Sequence, residues 1–134
     1  MPSPTFIQQL DASGCGIACA AMLAGKSYAQ VKKIANDTFD WPIDKRSGFY
    51  TTSQDLRSLL SNFGVATQQA RKVKHWSSLP DLAIVGVNQS ERTGHWHWVV
   101  FRRDDAKMMI FDPRKGVRTN LSRIRLHLSI QVNS

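Results

Sequence analysis

Two cysteines in 134 residues, four positions apart, are too few and too close together to staple a fold. Bridged on consecutive helical turns, Cys15 and Cys19 would close so small a loop that almost nothing is restrained, which excludes a disulfide framework. A reducing compartment suits such a chain, and an unpaired thiol there is either buried filler or a reactive group. No apolar run approaches the roughly 18–20 residues needed to cross a bilayer, so no membrane segment is expected. The start, Met1-Pro2-Ser3-Pro4-Thr5, lacks the basic region and apolar stretch of a secretory signal. The expected location is the cytoplasm, with delivery as an effector or toxin, or excision from a larger protein, as alternatives. Repeats, low-complexity tracts and an internal linker are also missing. One domain over 1–134 is therefore expected, large enough for a single core.

Acidic residues are scarce: 10 against 18 Lys and Arg, a net charge of +8. Such an excess favours an acidic partner, nucleic acid or an anionic surface. The basic residues are scattered, however, from Lys32-Lys33 through Arg71-Lys72-Lys74 and Arg102-Arg103 to Arg123-Arg125. No helix reads as a basic stripe and no Cys/His spacing makes a zinc finger, so nucleic-acid binding is the lesser expectation. A composition 42% hydrophobic and 21% charged is that of a globule rather than a disordered chain.

The pattern predicts helices first. One runs over 15–23, small and apolar nearly all round and hence central, with Gly25 ending it. Ser27 caps a second to about Asp37, with Gln30 at the reciprocal capping-box position, Val31 and Ile34 facing inward and Lys32-Lys33 solvated. Residues 39–50 read as loop. Thr52 or Ser53 caps a third helix reaching Phe63, in which Leu56, Leu59, Leu60 and Phe63 follow the i, i+3, i+4, i+7 rule and Gly64 stops the run. Strands follow: a weak one over 65–72, a buried run over 83–87, 96–102 and 108–112 flanking an Asp104-Asp105-Ala106-Lys107 hairpin, and a last one within 124–132. Helices then antiparallel strands make an α+β domain.

Chemistry concentrates in three places. Cys15 stands where a helix begins, and a helix N-terminus offers roughly half a positive charge to a thiolate, the form that attacks carbonyls. Gly14 and Gly16 are expected to let a substrate backbone approach. Buried filler is the competing reading for Cys15 and the preferred one for Cys19. Of four histidines, His75 and His127 read as surface or rim, whereas His95 and His97 lie two apart on one predicted strand and share a face. Such a pair suits a metal, but structural and catalytic sites take three or four ligands, so neither metal nor cofactor is expected. A hairpin centred on Asp105-Ala106 pairs residue 104 with 107, sets Val99 opposite Asp112 and makes His97 its diagonal neighbour. A loop of odd length would send Asp112 to the other face. Asp112-Pro113 is also ordinary turn chemistry. Gln9 could add its carboxamide to the Cys15 backbone N–H in holding an oxyanion, with Gln8 as its local competitor.

Taken together, Gln9, five residues and Cys15-Gly16-Ile17-Ala18, then His97-Trp98-Val99-Val100, then Phe111-Asp112-Pro113 resemble the bacteriocin-processing cysteine peptidases. The likeness runs from about Gln9 to Gly116 and includes Gly48, the 52–63 helix with Gly64, and Leu79-Pro80 before the 83–87 strand. The resemblance implies a papain-like fold, N-terminal helices packed on a C-terminal antiparallel sheet, and cleavage of a peptide or protein after a double glycine. It implies Cys15 as nucleophile, His97 as general base and acid, Asp112 as the carboxylate orienting it, and Gln9 as oxyanion donor. Two other readings stay open. A glutamine or asparagine deamidase or acyl transferase uses the same residues on a side-chain amide. A non-catalytic module would keep the fold to dock peptide or nucleic acid.

Overall fold

A computed structural model of the protein describes residues 4–11, 14–41 and 51–133. Most of the loop expected over 39–50, Gly48 included, lies outside the described residues. Three helices come first: α1 (Cys15–Ala24), α2 (Tyr28–Phe39) and α3 (Ser53–Asn62). Six strands follow: β1 (Arg71–Lys72), β2 (Leu82–Val87), β3 (His97–Asp104), β4 (Lys107–Asp112), β5 (Gly116–Arg118) and β6 (Leu126–Gln131). The architecture is thus the expected α+β one.

Local chemistry fixes the helix ends. Ser27 and Gln30 form a complete capping box on α2, and Thr52 and Asp55 form one on α3. Gly25, at φ 68°, closes α1 in the left-handed conformation that glycine tolerates best. One side of α3 buries Leu56, Leu59 and Leu60. Helix α1 buries every residue from Gly16 to Met22, as a run without a polar face must. The helix α2 departs from expectation at one point: Lys32 is not simply solvated but pairs with Asp11 at 3.0 Å.

The strands form one antiparallel sheet in the order β1-β6-β2-β3-β4-β5. Ile84, Trp98, Val100, Phe111 and Ile130 face the helices. Ala83, Val85, Val99, Phe101 and Ile110 face the other way, under a cover that includes Val73, Leu79 and Ile124. The β3–β4 register is the predicted one, Asp104 opposite Lys107 through Val100 opposite Phe111, with Asp105 at φ 55° in the turn. Other strands differ from the pattern. The weak 65–72 alternation yields only Arg71–Lys72 as strand, plus a bridge from Thr67 to Val132. Strand β3 starts at His97 rather than Trp96, and β5 is not among the strands the sequence pattern predicts.

Trp96 lies across the helix-facing side of β2 because Gly86 leaves room. A β-carbon at Gly86 would come within 2.6 Å of the indole Cδ1 and 2.9 Å of Nε1. The β2–β6 register shifts just after Gly86, leaving His127 as the extra residue between Leu128 and Leu126. Its ring then packs on Trp96 at 4.8 Å, while Trp98 meets Trp96 edge-on at 5.7 Å.

Candidate active site

Cys15 is the first residue of α1, and its helix begins unlike the other two. Gly14 has no side chain with which to cap it, and among the described residues no side-chain oxygen caps the first amides. The positive end of α1 therefore acts on whatever Cys15 presents. Helix α1 packs against β3, and that contact brings the thiol to the end of the sheet where His97 begins the strand. There the His97 imidazole and the Trp98 backbone N–H both act on the Cys15 thiol in the sense that favours its thiolate. Burial alone would push the thiol up. The His97 bond and charge, the Trp98 N–H and the Arg114 charge outweigh it, and the thiol sits below its ordinary value.

On the far side of the ring, His97 Nε2 lies 2.8 Å from Asp112 Oδ1. With Nε2 engaged there, Nδ1 is the nitrogen left for the thiol. Burial pulls the imidazole down, but Asp112 and Cys15 together raise it to about 9. Asp112 ends β4 and is itself buried, which pushes its carboxyl up. The bond and charge of His97 and the backbone N–H groups of Arg114 and Lys115 bring it below the usual range. Arg114 N–H donates to Oδ1 at 2.9 Å. Asp112 is thus both turn residue and histidine partner, the two roles its sequence context allowed. Because His97 and Asp112 sit on neighbouring strands on the same face, the hairpin register alone sets their meeting.

Gln9 reaches the site through the chain just beyond Asp112: its backbone N–H donates to Pro113 O at 3.0 Å. Its Nε2 donates to Asp11 O at 2.9 Å. Gln9 is half-buried whereas Gln8 is exposed, which separates the two competitors. Cys19 is fully buried, and burial, with Cys15 and Asp112 nearby, holds its thiol well above its ordinary value. It is the inert filler of α1.

Two expectations need correcting. His95 does not share a strand face with His97: it lies before β3, exposed, its N–H donating to Thr93 Oγ1 at 3.2 Å. Nor do Gly14 and Gly16 leave space for a substrate. A β-carbon at Gly14 would collide with the Tyr28 hydroxyl, and one at Gly16 would lie 2.8 Å from Thr51 Oγ1. The glycines admit the protein's own side chains. Thr51 is further tied down by the Trp98 Nε1 bond to its carbonyl at 2.9 Å. Sequence reasoning missed the Trp98 N–H and the Arg114 charge. The first follows from Trp98 succeeding His97, but which amide faces the sulfur is a matter of helix-to-sheet docking.

The family described as Peptidase C39 matches residues 3–126 of the chain. Among solved structures, a double glycine motif protease from an AMS/PCAT transporter, in complex with the leader peptide, is similar at a TM-score of 0.68 and 18% identity. The match covers 97% of this chain and 91% of that one, a likeness of fold that extends to the papain-like arrangement of helices on sheet. No curated protein matches the chain.

Proposed function

Since the chain belongs to the Peptidase C39 family, the bacteriocin-processing cysteine peptidases, we propose that it cuts a peptide or protein substrate through Cys15, His97 and Asp112. The matched span acts as one catalytic domain. The observation that carries this reading is the 2.8 Å bond between His97 and Asp112, with the Cys15 thiol at the start of α1 lowered by that same imidazole. A lowered thiol beside an imidazole raised to about 9 favours thiolate and imidazolium as the resting pair.

The Cys15 thiolate adds to the scissile carbonyl carbon, and the carbonyl electrons move onto oxygen. The Cys15 backbone N–H and the Gln9 carboxamide hold that oxyanion. As the tetrahedral species collapses, the C–N bond breaks and the His97 imidazolium gives its proton to the departing amine. A thioester on Cys15 remains. Neutral His97 then takes a proton from water, the hydroxide oxygen bonds to the acyl carbon, and the C–S bond breaks to restore the thiolate. Asp112 keeps the ring turned and stabilises its charged form throughout. The double-glycine protease of similar fold supports a substrate with a Gly-Gly at the cut. Two free thiols suit a reducing compartment such as the cytoplasm.

The test is intact-mass analysis of Gly-Gly peptides incubated with the protein and with Cys15→Ala. Two fragments after Gly-Gly, absent with the variant, are expected. A gain of about one mass unit without chain cleavage, the signature of amide-to-acid conversion at a side chain, would replace the peptidase with a deamidase.

A further inference from the structure

The chain leading into α1 is tied down at Asp11. The Asp11 carbonyl accepts two hydrogen bonds, from Gln9 Nε2 at 2.9 Å and from Gly14 N–H at 3.0 Å. Its carboxylate accepts two more from α2. Tyr28 Oη donates to Oδ2 at 2.7 Å, and Lys32 Nζ lies 3.1 Å from Oδ1 and 3.0 Å from Oδ2. Only 9% of the Asp11 side chain is exposed, so the charge is sheltered and its partners matter more than at an open surface pair. Burial and then Asp11 hold the Tyr28 phenol above its ordinary value, as expected of a donor to a carboxylate. The bare α-carbon of Gly14 is what lets the phenol through. Asp11 thus connects α2, through its carboxylate, to the Gln9 carboxamide and to Gly14 at the mouth of α1, through its carbonyl.

We propose that Asp11, anchored by Tyr28 and Lys32, is a positioning residue that fixes the Gln9 carboxamide and the Cys15 end of α1 for holding the oxyanion. This rests on the peptidase reading and adds what sets the geometry of its anion-binding side. A carboxamide nitrogen carries two N–H groups, and engaging one with the Asp11 carbonyl sets the plane of the other. The Gly14 bond to the same oxygen fixes how the backbone turns into α1, and hence the aim of the Cys15 N–H. Such donors work only if held within about 0.5 Å of the productive geometry. Asp11 itself touches no substrate.

Tyr28→Phe removes the hydroxyl and keeps the ring, which makes it the main test, and Lys32→Gln is the second variant. Two probes separate oxyanion holding from thiolate formation. A Gly-Gly peptide aldehyde adds to the thiolate: a C–S bond forms and the carbonyl electrons become an oxyanion. Iodoacetamide alkylation at pH 6 forms a C–S bond with loss of iodide and makes no oxyanion. For each variant, aldehyde affinity and kcat on a Gly-Gly-aminomethylcoumarin peptide should fall about ten-fold, short of the ~10²–10³ lost when a donor is deleted, with Cys15 alkylation within about two-fold. Equal losses in both probes would reduce Asp11 to a general support of the fold, and no loss would make it idle; either overturns the proposal. Should Tyr28→Phe not fold, the same split in Lys32→Gln carries or sinks it. If the unaltered protein is alkylated but neither binds the aldehyde nor cleaves the peptide, the peptidase reading falls and takes this one with it.

Discussion

Asp112→Asn is the sharpest probe of the charge arrangement. The substitution keeps shape and an acceptor oxygen opposite His97 Nε2, now 2.8 Å away, but removes the negative charge. A hydrogen bond to a charged group contributes about 1.5–3 kcal/mol, which at about 1.4 kcal/mol per unit is a drop of roughly 1–2 units in the imidazole. Starting from about 9, the His97 midpoint should land near ~7–8. The sign is fixed by the direction of the shift. An imidazole raised by its partners keeps its proton up to the raised value and loses it above. Removing Asp112 therefore costs imidazolium on the alkaline side. The Cys15 thiol, held down partly by that same imidazolium, should rise in step. The two titrations belong to the pair rather than to either residue, so both must be followed. Side-chain nitrogen NMR of the histidines against pH reads the first, and the pH dependence of Cys15 alkylation reads the second. A His97 midpoint in the unaltered protein at an ordinary imidazole value, or one that ignores Asp112→Asn, would refute the reasoning.

Three further outcomes follow from the geometry. Iodoacetamide near pH 6 should label Cys15 stoichiometrically and leave Cys19 untouched in the folded protein, since one thiol is lowered and the other raised; peptide mapping of the alkylated protein decides, and equal sluggishness would count against an activated thiolate. His97→Ala should abolish cleavage of a Gly-Gly peptide while His95→Ala retains most of it, because only His97 meets Cys15 and Asp112; equal collapse of both variants would contradict the assignment. Gly86→Ala forces the Trp96 indole off β2, an overpacking that should destabilise by about 1–3 kcal/mol. The check is a lower thermal midpoint together with a shift in tryptophan fluorescence, and an unshifted midpoint would show that the indole moves aside freely.

What could be read in the sequence was whatever is governed by neighbours along the chain. Ser27 with Gln30 and the leucines of 56–60 announced α2 and α3, because caps and periodicity act within a few residues. The parity that unites His97 and Asp112 was legible too, since a two-residue turn fixes every pair behind it. What escaped depends on distant partners. Lys32 sits on a face that periodicity marks as solvated, and only the docking of the 9–11 segment gives it Asp11. Strand β5 is three residues long and follows an Asp-Pro turn, so its pairing with β4 leaves no alternation to detect. His95 read as a strand residue because the alternation of His95, Trp96, His97 and Trp98 looks extended, yet pairing with β2 stops at His97 opposite Val87. Gly14 and Gly16 marked close approach correctly but not what approaches, which was Tyr28 and Thr51.

The sheet order has a consequence for how copies of this protein behave when crowded. Its two rims are closed by β1 and β5, two and three residues long, and they carry Arg71, Lys72 and Arg118. A free rim is where two molecules zip into an aggregate, and short, cationic rims give an oncoming strand little to grip and a charge to overcome. The surplus of positive charge that first suggested a nucleic-acid partner thus doubles as mutual repulsion, keeping concentrated solutions dispersed at low ionic strength and less so as salt screens it.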